Sequence, residues 1–293
     1  MSLLQAIVLG IVQGLTEFLP ISSSGHLIVV PWLLGWDEPG LSFDAALHLG
    51  TLVAIFAYFW RDLLAMLRAL PRALRRPRAL LTELPPARQR LSASGDTDAR
   101  LALLIAVGTV PGLLAGLFGE EAIERFFHSD GDQRRAIAII AVMLIVFGLL
   151  LWAAERSAAH QRHIYHLTWR DALAIGLAQA TALVPGVSRS GATITAGLFH
   201  GLHRADAARF SFLLGTPLIL GAGLKAVSSA IGAGMTQSEG IAFAAGGLTS
   251  ALVGFAAIWG LLRFLQHAST RIFILYRVVL GLSLLGLVAS GFR

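Results

Sequence analysis

Gln13-Gly14-Leu15-Thr16-Glu17-Phe18-Leu19-Pro20-Ile21-Ser22-Ser23-Ser24-Gly25-His26 sets an amide, a carboxylate, a run of serine hydroxyls and an imidazole between two apolar stretches, residues 3–19 and 27–34. Pro20 and the Ser-Ser-Ser-Gly run break the apolar sequence, and each half is too short to cross a hydrocarbon core of about 30 Å comfortably. Backbone that turns at membrane depth is tolerated only where it lines a cavity or is buried in protein, so the stretch predicts a re-entrant helical hairpin with a polar tip. Ionisable groups at that depth are costly and by default mark a functional site.

Composition places the stretch in a membrane. The 293 residues are 56% hydrophobic and 14% charged, with a mean hydropathy of +0.72, whereas a soluble chain carries roughly a quarter charged residues. The net charge of +6 comes almost wholly from arginine, since Lys225 is the only lysine. The arginines gather between apolar segments, where they act as topology signals and contacts to anionic lipid headgroups, so no nucleic-acid partner is expected. With no cysteine, disulfides, thiolate metal sites and cysteine nucleophiles are excluded. No basic region precedes the first apolar run and no cleavage site follows it, so no removable signal peptide is expected.

Six full spans are predicted at about 44–60, 101–118, 136–154, 207–230, 240–262 and 272–290. Residues 61–100, with nine arginines and the adjacent Pro85 and Pro86, read as one long polar loop of amphipathic or flexible surface segments. A second broken segment runs from Ala172 to Phe199, interrupted by Pro185-Gly186-Val187-Ser188-Arg189-Ser190-Gly191. Shifting the chain by 166 residues lays Gly10 on Gly176, Gln13 on Gln179, Ser22 on Ser188, Ser24 on Ser190, Gly25 on Gly191 and Ile28 on Ile194. The expected architecture is therefore an all-α integral membrane protein of six transmembrane helices and two re-entrant hairpins. It forms one membrane domain over 1–293, with a first repeat over 1–154 and a second over 171–293. Three spans per repeat is an odd number, so the second repeat enters the membrane inverted.

Arginine counts orient this arrangement. Residues 61–100, 155–170 and the last loop, with Arg263 and Arg271, fall on one side, which should be cytoplasmic; Arg125, Arg134 and Arg135 fall on the other. The first hairpin then dips in from outside and the second from the cytoplasm, so the two tips meet near mid-membrane, with both chain ends outside. Trp32, Trp36, Trp60 and Trp152 are expected as interfacial anchors, and Lys225 as a snorkelling cation. Asp44 and His48 share a helical face and read as interfacial or supporting residues.

The tips carry complementary chemistry. Gln13 and Glu17 are four apart and share a helical face, from which an amide and a carboxylate can hold a hard divalent cation. Ser22, Ser23, Ser24 and Gly25 precede the second half-helix, whose free N–H groups favour an anion, although serines are also ordinary N-caps. His26, within a turn of the hydroxyls, can serve as general acid or base for a serine nucleophile. Arg189 offers a planar cationic fork for phosphate oxygens, with Ser188, Ser190 and Thr193 around it. Together these residues suit phosphoryl transfer on a lipid-borne phosphate.

At these residues the chain resembles the undecaprenyl-diphosphatases, also called bacitracin-resistance proteins. Gln13 to Glu17 matches their Glu/Gln-x-x-x-Glu motif, and Pro185, Gly186, Ser188, Arg189, Ser190 and Thr193 match their Pro-Gly-x-Ser-Arg-Ser-x-x-Thr motif. The resemblance implies hydrolysis of undecaprenyl diphosphate to the monophosphate and inorganic phosphate, with a divalent cation, Mg2+ or Ca2+, recycling the carrier lipid for cell-wall synthesis in the bacterial inner membrane. It assigns Glu17 and Gln13 to the acidic motif, Ser23 to the nucleophile, His26 to acid–base work and Arg189 to the phosphate. Many members carry glutamate where this chain has Gln13, which leaves more of the metal's charge balance to Glu17. The acid-phosphatase-like membrane enzymes, which also use Ser-Gly-His and Ser-Arg pairs, need a histidine where this chain has Thr195, and are set aside. A lipid transporter or flippase remains the competing class, because inverted repeats and broken helices are its hallmark. Both a monomer and a homodimer are compatible with the sequence.

Overall fold

The computed structural model describes residues 1–37, 40–82, 95–129, 133–233 and 237–292. Eleven α-helices are present among them, with no β-strand; Arg162 and Leu202 make one isolated bridge. The first hairpin is α1 (Leu3–Thr16) and α2 (Ser23–Leu34). Ser2 opens α1 with a reciprocal cap, its hydroxyl accepting from Gln5 N–H and its own N–H reaching the Gln5 side chain. Pro20 has no N–H to continue the helix. Ser22 then turns at φ 79° and caps α2, which closes on the left-handed Gly35. The second hairpin repeats the pattern. Thr168 and Asp171 form a capping box for α7 (Trp169–Ala180), and Ser188, at φ 74°, caps α8 (Arg189–Phe199). At 14, 12, 12 and 11 residues, these four helices are about 17–21 Å long at 1.5 Å per residue, short of the roughly 30 Å needed to span.

Six helices among the described residues are long and apolar enough to cross a membrane. They are α3 (Leu41–Arg75), α5 (Gly95–Glu124), α6 (Gln133–Ser157), α9 (Arg204–Ala233), α10 (Gln237–Leu265) and α11 (Arg271–Ala289). The protein is thus an all-α integral membrane protein, as the apolar runs indicate. The expected loop over 61–100 is corrected in part. Beyond a break in helical geometry at Phe59, α3 continues to Arg75, α4 (Pro77–Thr82) follows, and α5 begins at Gly95. Residues 83–94, including Pro85 and Pro86, lie outside the described residues.

Packing is reciprocal between the halves. Hairpin helix α1 lies along α10 of the second half, α7 lies along α5 of the first, and α6 pairs with α11. Small residues allow the close crossings, the usual device where lipid supplies no hydrophobic drive between helices. A Cβ added at Gly10 would stand 2.6 Å from Gly246 O, and one at Gly176 would stand 2.2 Å from Gly108 O. Gly176→Val is accordingly expected to push α7 off α5 and to destabilise the protein by about 1–3 kcal/mol, read as a lower Tm in detergent; an unchanged Tm would refute the crossing. The core is held by Phe18, Phe59, Phe210 and Phe212, with Phe18 edge-on to Phe212 at 5.2 Å. A second apolar cluster joins Ile28, Val29 and Trp32 of α2 to Ile137, Ile140 and Leu144 of α6.

Trp32 therefore departs from its expected role as an anchor: it is buried, with its ring edge-on to Phe292 at 5.2 Å. Trp60 and Trp152 are exposed and lie under Arg61 and Arg156, and Trp169 and Trp259 pair in the same way with Arg170 and Arg263. Three of these cation–π pairs sit near helix ends and the Trp60 pair sits beside the break at Phe59, places where amphipathic rings can anchor a membrane protein. Asp171 binds Arg162 and His200 at the base of the second hairpin, while His163 with Asp206, Arg204 with Glu155 and Arg209 with Asp62 tie α9 to the loop before the hairpin, to α6 and to α3. Lys225 pairs with Glu120 at 2.9 Å.

Candidate active site

The two hairpin tips meet inside the protein. Ser22 Oγ accepts from Gly186 N–H at 3.1 Å, and Ser190 Oγ donates to Leu19 O at 3.0 Å, so each tip holds the backbone of the other. Gly186, at φ +96°, lies so close to α6 that an added Cβ would stand 2.6 Å from Ile140 O. Two helix starts, those of α2 and α8, thereby converge. Their first N–H groups have no intrahelical acceptor, and their dipoles favour an anion between them.

Glu17 is the hub. Its side chain is 4% exposed; Oε1 accepts from Arg189 Nη2 at 2.9 Å, and Oε2 accepts from Ser23 Oγ at 2.6 Å and Gln13 Nε2 at 3.1 Å. A carboxylate at this depth would be very costly alone; paired with an arginine and two further donors it is tolerated. Arg189 also donates from Nη1 to Ser211 O at 3.2 Å, while its Nε is buried without a hydrogen-bond partner. The guanidinium thus retains N–H capacity that no protein atom satisfies.

The remaining expected residues divide by what their polar atoms already do. Ser188 Oγ accepts from Gly191 N–H at 3.0 Å and caps α8, and Thr193 Oγ1 donates to Arg189 O at 2.8 Å and meets Ser211 Oγ at 2.6 Å. Gly25 N–H turns back to Ser22 Oγ at 3.4 Å. The hydroxyls of Ser22, Ser188, Ser190 and Thr193 are thus engaged in holding the tips, while Ser23 and Ser24 are only partly buried.

His26 does not meet Ser23. Its Nδ1 lies 2.6 Å from Ser22 O and its Nε2 lies 2.7 Å from Tyr276 Oη. Since a carbonyl only accepts, Nδ1 carries the proton, and Nε2 accepts from the Tyr276 hydroxyl. The reason is local. Helical side chains lean toward the N-terminus, so His26 reaches the carbonyl four residues back, and the Ser23 hydroxyl finds Glu17 as its acceptor.

Two helices add further residues, of which the sequence reading passed over Arg277 and named His48 only as interfacial or supporting. Arg277 of α11 is fully buried and donates to backbone from all three of its nitrogens: Nε to Leu144 O at 3.1 Å, Nη1 to Pro20 O at 3.1 Å, and Nη2 to Gly186 O at 2.9 Å and Val187 O at 3.0 Å. It ties both tips to α6. An arginine well inside an apolar span was the available signal. The second is His48 of α3, read as interfacial, whose Nε2 lies 3.7 Å from Glu17 Oε2.

A family model described as bacitracin resistance protein BacA matches residues 6–283. Among similar curated proteins, the undecaprenyl-diphosphatase of Thermomicrobium roseum is 51% identical over 289 residues, 99% of each chain. That of Trichormus variabilis is 44% identical over 99% of this chain and 85% of its own, and that of Desulforudis audaxviator is 44% identical over 96% of both. The chain belongs to the BacA family of bacitracin resistance proteins.

Proposed function

We propose that this protein hydrolyses undecaprenyl diphosphate to undecaprenyl phosphate and inorganic phosphate. The observation that carries the reading is the chain Ser23–Glu17–Arg189, which joins a hydroxyl with a ready proton acceptor to a cationic fork across the two tips. The terminal phosphoryl group binds where α2 and α8 begin, with Arg189 and the free N–H groups of the helix starts neutralising its oxygens. Ser23 attacks phosphorus in line and Glu17 Oε2 takes its proton. The bond to the bridging oxygen breaks, undecaprenyl phosphate leaves, and water releases phosphate from the serine. Attack by a water held at Glu17 gives the same products. His26 and Tyr276 fix the Ser22 turn that aims Ser23.

A divalent cation, Mg2+ or Ca2+, fits the donors present. Gln13 Oε1 is buried with no hydrogen-bond partner, one helical turn from the Glu17 carboxylate. Glu17 and Gln13 would hold the ion, which when bound offsets the charge of the diphosphate.

In the same reading the hairpins are re-entrant and the two repeats inverted, supported by the reciprocal packing of α1 on α10 and α7 on α5. The arginine–tryptophan side faces the cytoplasm of the bacterial inner membrane, the site opens outward, and the protein works as a monomer or homodimer. The test is release of inorganic phosphate from undecaprenyl diphosphate by purified protein, with and without chelator. Release that chelator suppresses is expected; lipid movement across vesicles without release would instead favour a flippase.

A further inference from the structure

Helix α3 is longer than a membrane requires. Its 35 residues rise about 52 Å at 1.5 Å per residue, against a hydrocarbon core of roughly 30 Å. Residues 41–59 nearly span that core alone, at about 28 Å, and helical geometry breaks at Phe59. Trp60 follows at once, with the Arg61 guanidinium over its ring, and residues 60–75 continue the helix for about 24 Å.

The faces of this continuation differ in what covers them. Met66, Ala69 and Ala73 are buried, the two alanines in a small cluster with Ala99 of α5, and Asp62 is held by Arg209 of α9. At about 100° per residue, the remaining positions fall into two sectors. Leu67, Leu70 and Leu74 are 64%, 41% and 71% exposed and share a face with the exposed Trp60. Arg61, Arg68, Arg72 and Arg75 are exposed together on the adjoining face. From Arg61 to Thr82 the sequence holds six arginines and a single acid, Asp62. Arg68, Arg72 and Arg75 have no carboxylate partner among the described residues.

A leucine row past the aromatic anchor calls for an apolar cover, and the uncompensated cationic row beside it calls for an anionic one. The surface of an anionic leaflet supplies both. Apolar side chains of an in-plane helix enter the boundary between headgroups and acyl chains, while long arginine stems carry their charge back to the phosphates. A second copy seated on the same face would bring the two arginine rows together, which like charge opposes.

We propose that residues 60–75 form an interfacial arm that seats on anionic phospholipid, with Leu67, Leu70 and Leu74 at the acyl boundary and Arg68, Arg72 and Arg75 on the headgroup phosphates. The arm is separate from the hairpin tips and does not depend on the hydrolase reading.

The chain has no cysteine, so one can be introduced and spin-labelled in the full-length protein as Leu67→Cys or Leu74→Cys. Each is reconstituted into nanodiscs of phosphatidylcholine alone or with about one third phosphatidylglycerol, and depth is read by electron paramagnetic resonance as collision with oxygen against collision with a water-soluble nickel chelate. In the mixed bilayer both labels should favour oxygen. Phosphatidylcholine alone, or about 0.5 M salt, should reduce that preference. Adding Arg68→Gln and Arg75→Gln should lower the ratio of seated to free arm roughly 25-fold in the mixed bilayer, at about fivefold per arginine. Preference for the chelate at both positions would overturn the proposal, as would spin–spin broadening from a second copy, or a depth indifferent to phosphatidylglycerol, salt and the two arginines. If one cysteine variant does not stay monodisperse, the other decides by the same criteria.

Discussion

Arg189→Leu is expected to lower phosphate release from undecaprenyl diphosphate on the order of 10^3-fold, the scale seen when a cationic group facing a transferring phosphoryl is removed. Two losses coincide in this variant. The phosphate oxygens lose their planar fork, and Glu17, only 4% exposed, loses the partner on its Oε1. A buried carboxylate without its cationic partner is costly, so the hold of Glu17 on Ser23 is disturbed as well. Arg189→Lys should recover little, because an ammonium cannot serve Glu17, Ser211 O and a phosphate from one rigid plane. Initial rates at saturating and sub-saturating lipid check this. A fall in kcat with a rise in KM is expected, and wild-type kcat in either variant would contradict the assignment.

Arg277→Met should act through stability first and activity second. The substitution leaves the carbonyls of Pro20, Gly186 and Val187 without the Arg277 donor in a buried setting, and removes its added bond to Leu144 O within α6. The expected loss is on the order of 3–5 kcal/mol, because unsatisfied buried polar groups cost about 1–3 kcal/mol each and neighbouring effects are not additive. Where the protein still folds, the tips are no longer tied together, and displacement of the reacting groups by about 1 Å lowers turnover by roughly 100-fold. Thermal unfolding in detergent and phosphate release on the surviving monodisperse fraction measure the two effects separately. Unchanged stability and turnover together would show that Arg277 does not tie the tips.

The fold was largely legible because the membrane makes its punctuation strict. Pro20 with Ser22 to Gly25, and Pro185 with Gly186 to Gly191, interrupt apolar sequence that would otherwise read as long helices, and the two breaks align at a fixed shift. The helical stretch beyond Phe59 was hidden because outside lipid the apolar signal gives way to arginines interrupted by Pro71 and Pro77, a pattern that fits loop and surface helix alike. Trp32 misled because tryptophan is common both at interfaces and in packed cores, and only the neighbouring α6 and Phe292 distinguish them.

Within the site, residue types were easier to foresee than their pairings. Glu17 and Arg189 were marked by cost alone, as charges in apolar surroundings. Their mutual bond spans 172 positions, and the contact of His26 with Tyr276 spans 250, distances over which one sequence carries no pairing information. His48 looked interfacial from its place near the start of a span; the depth of the Glu17 tip, set by the packing of α1 along α10, brings it inward.

That both tips form one reaction centre is tested most directly by phosphate release from undecaprenyl diphosphate in Glu17→Gln, Arg189→Leu and the double variant. Residues that act as a unit give non-additive losses. The double variant should therefore be about as slow as the slower single variant. A double variant slowed by the product of the two single effects would mean that Glu17 and Arg189 act independently, and would contradict the composite site.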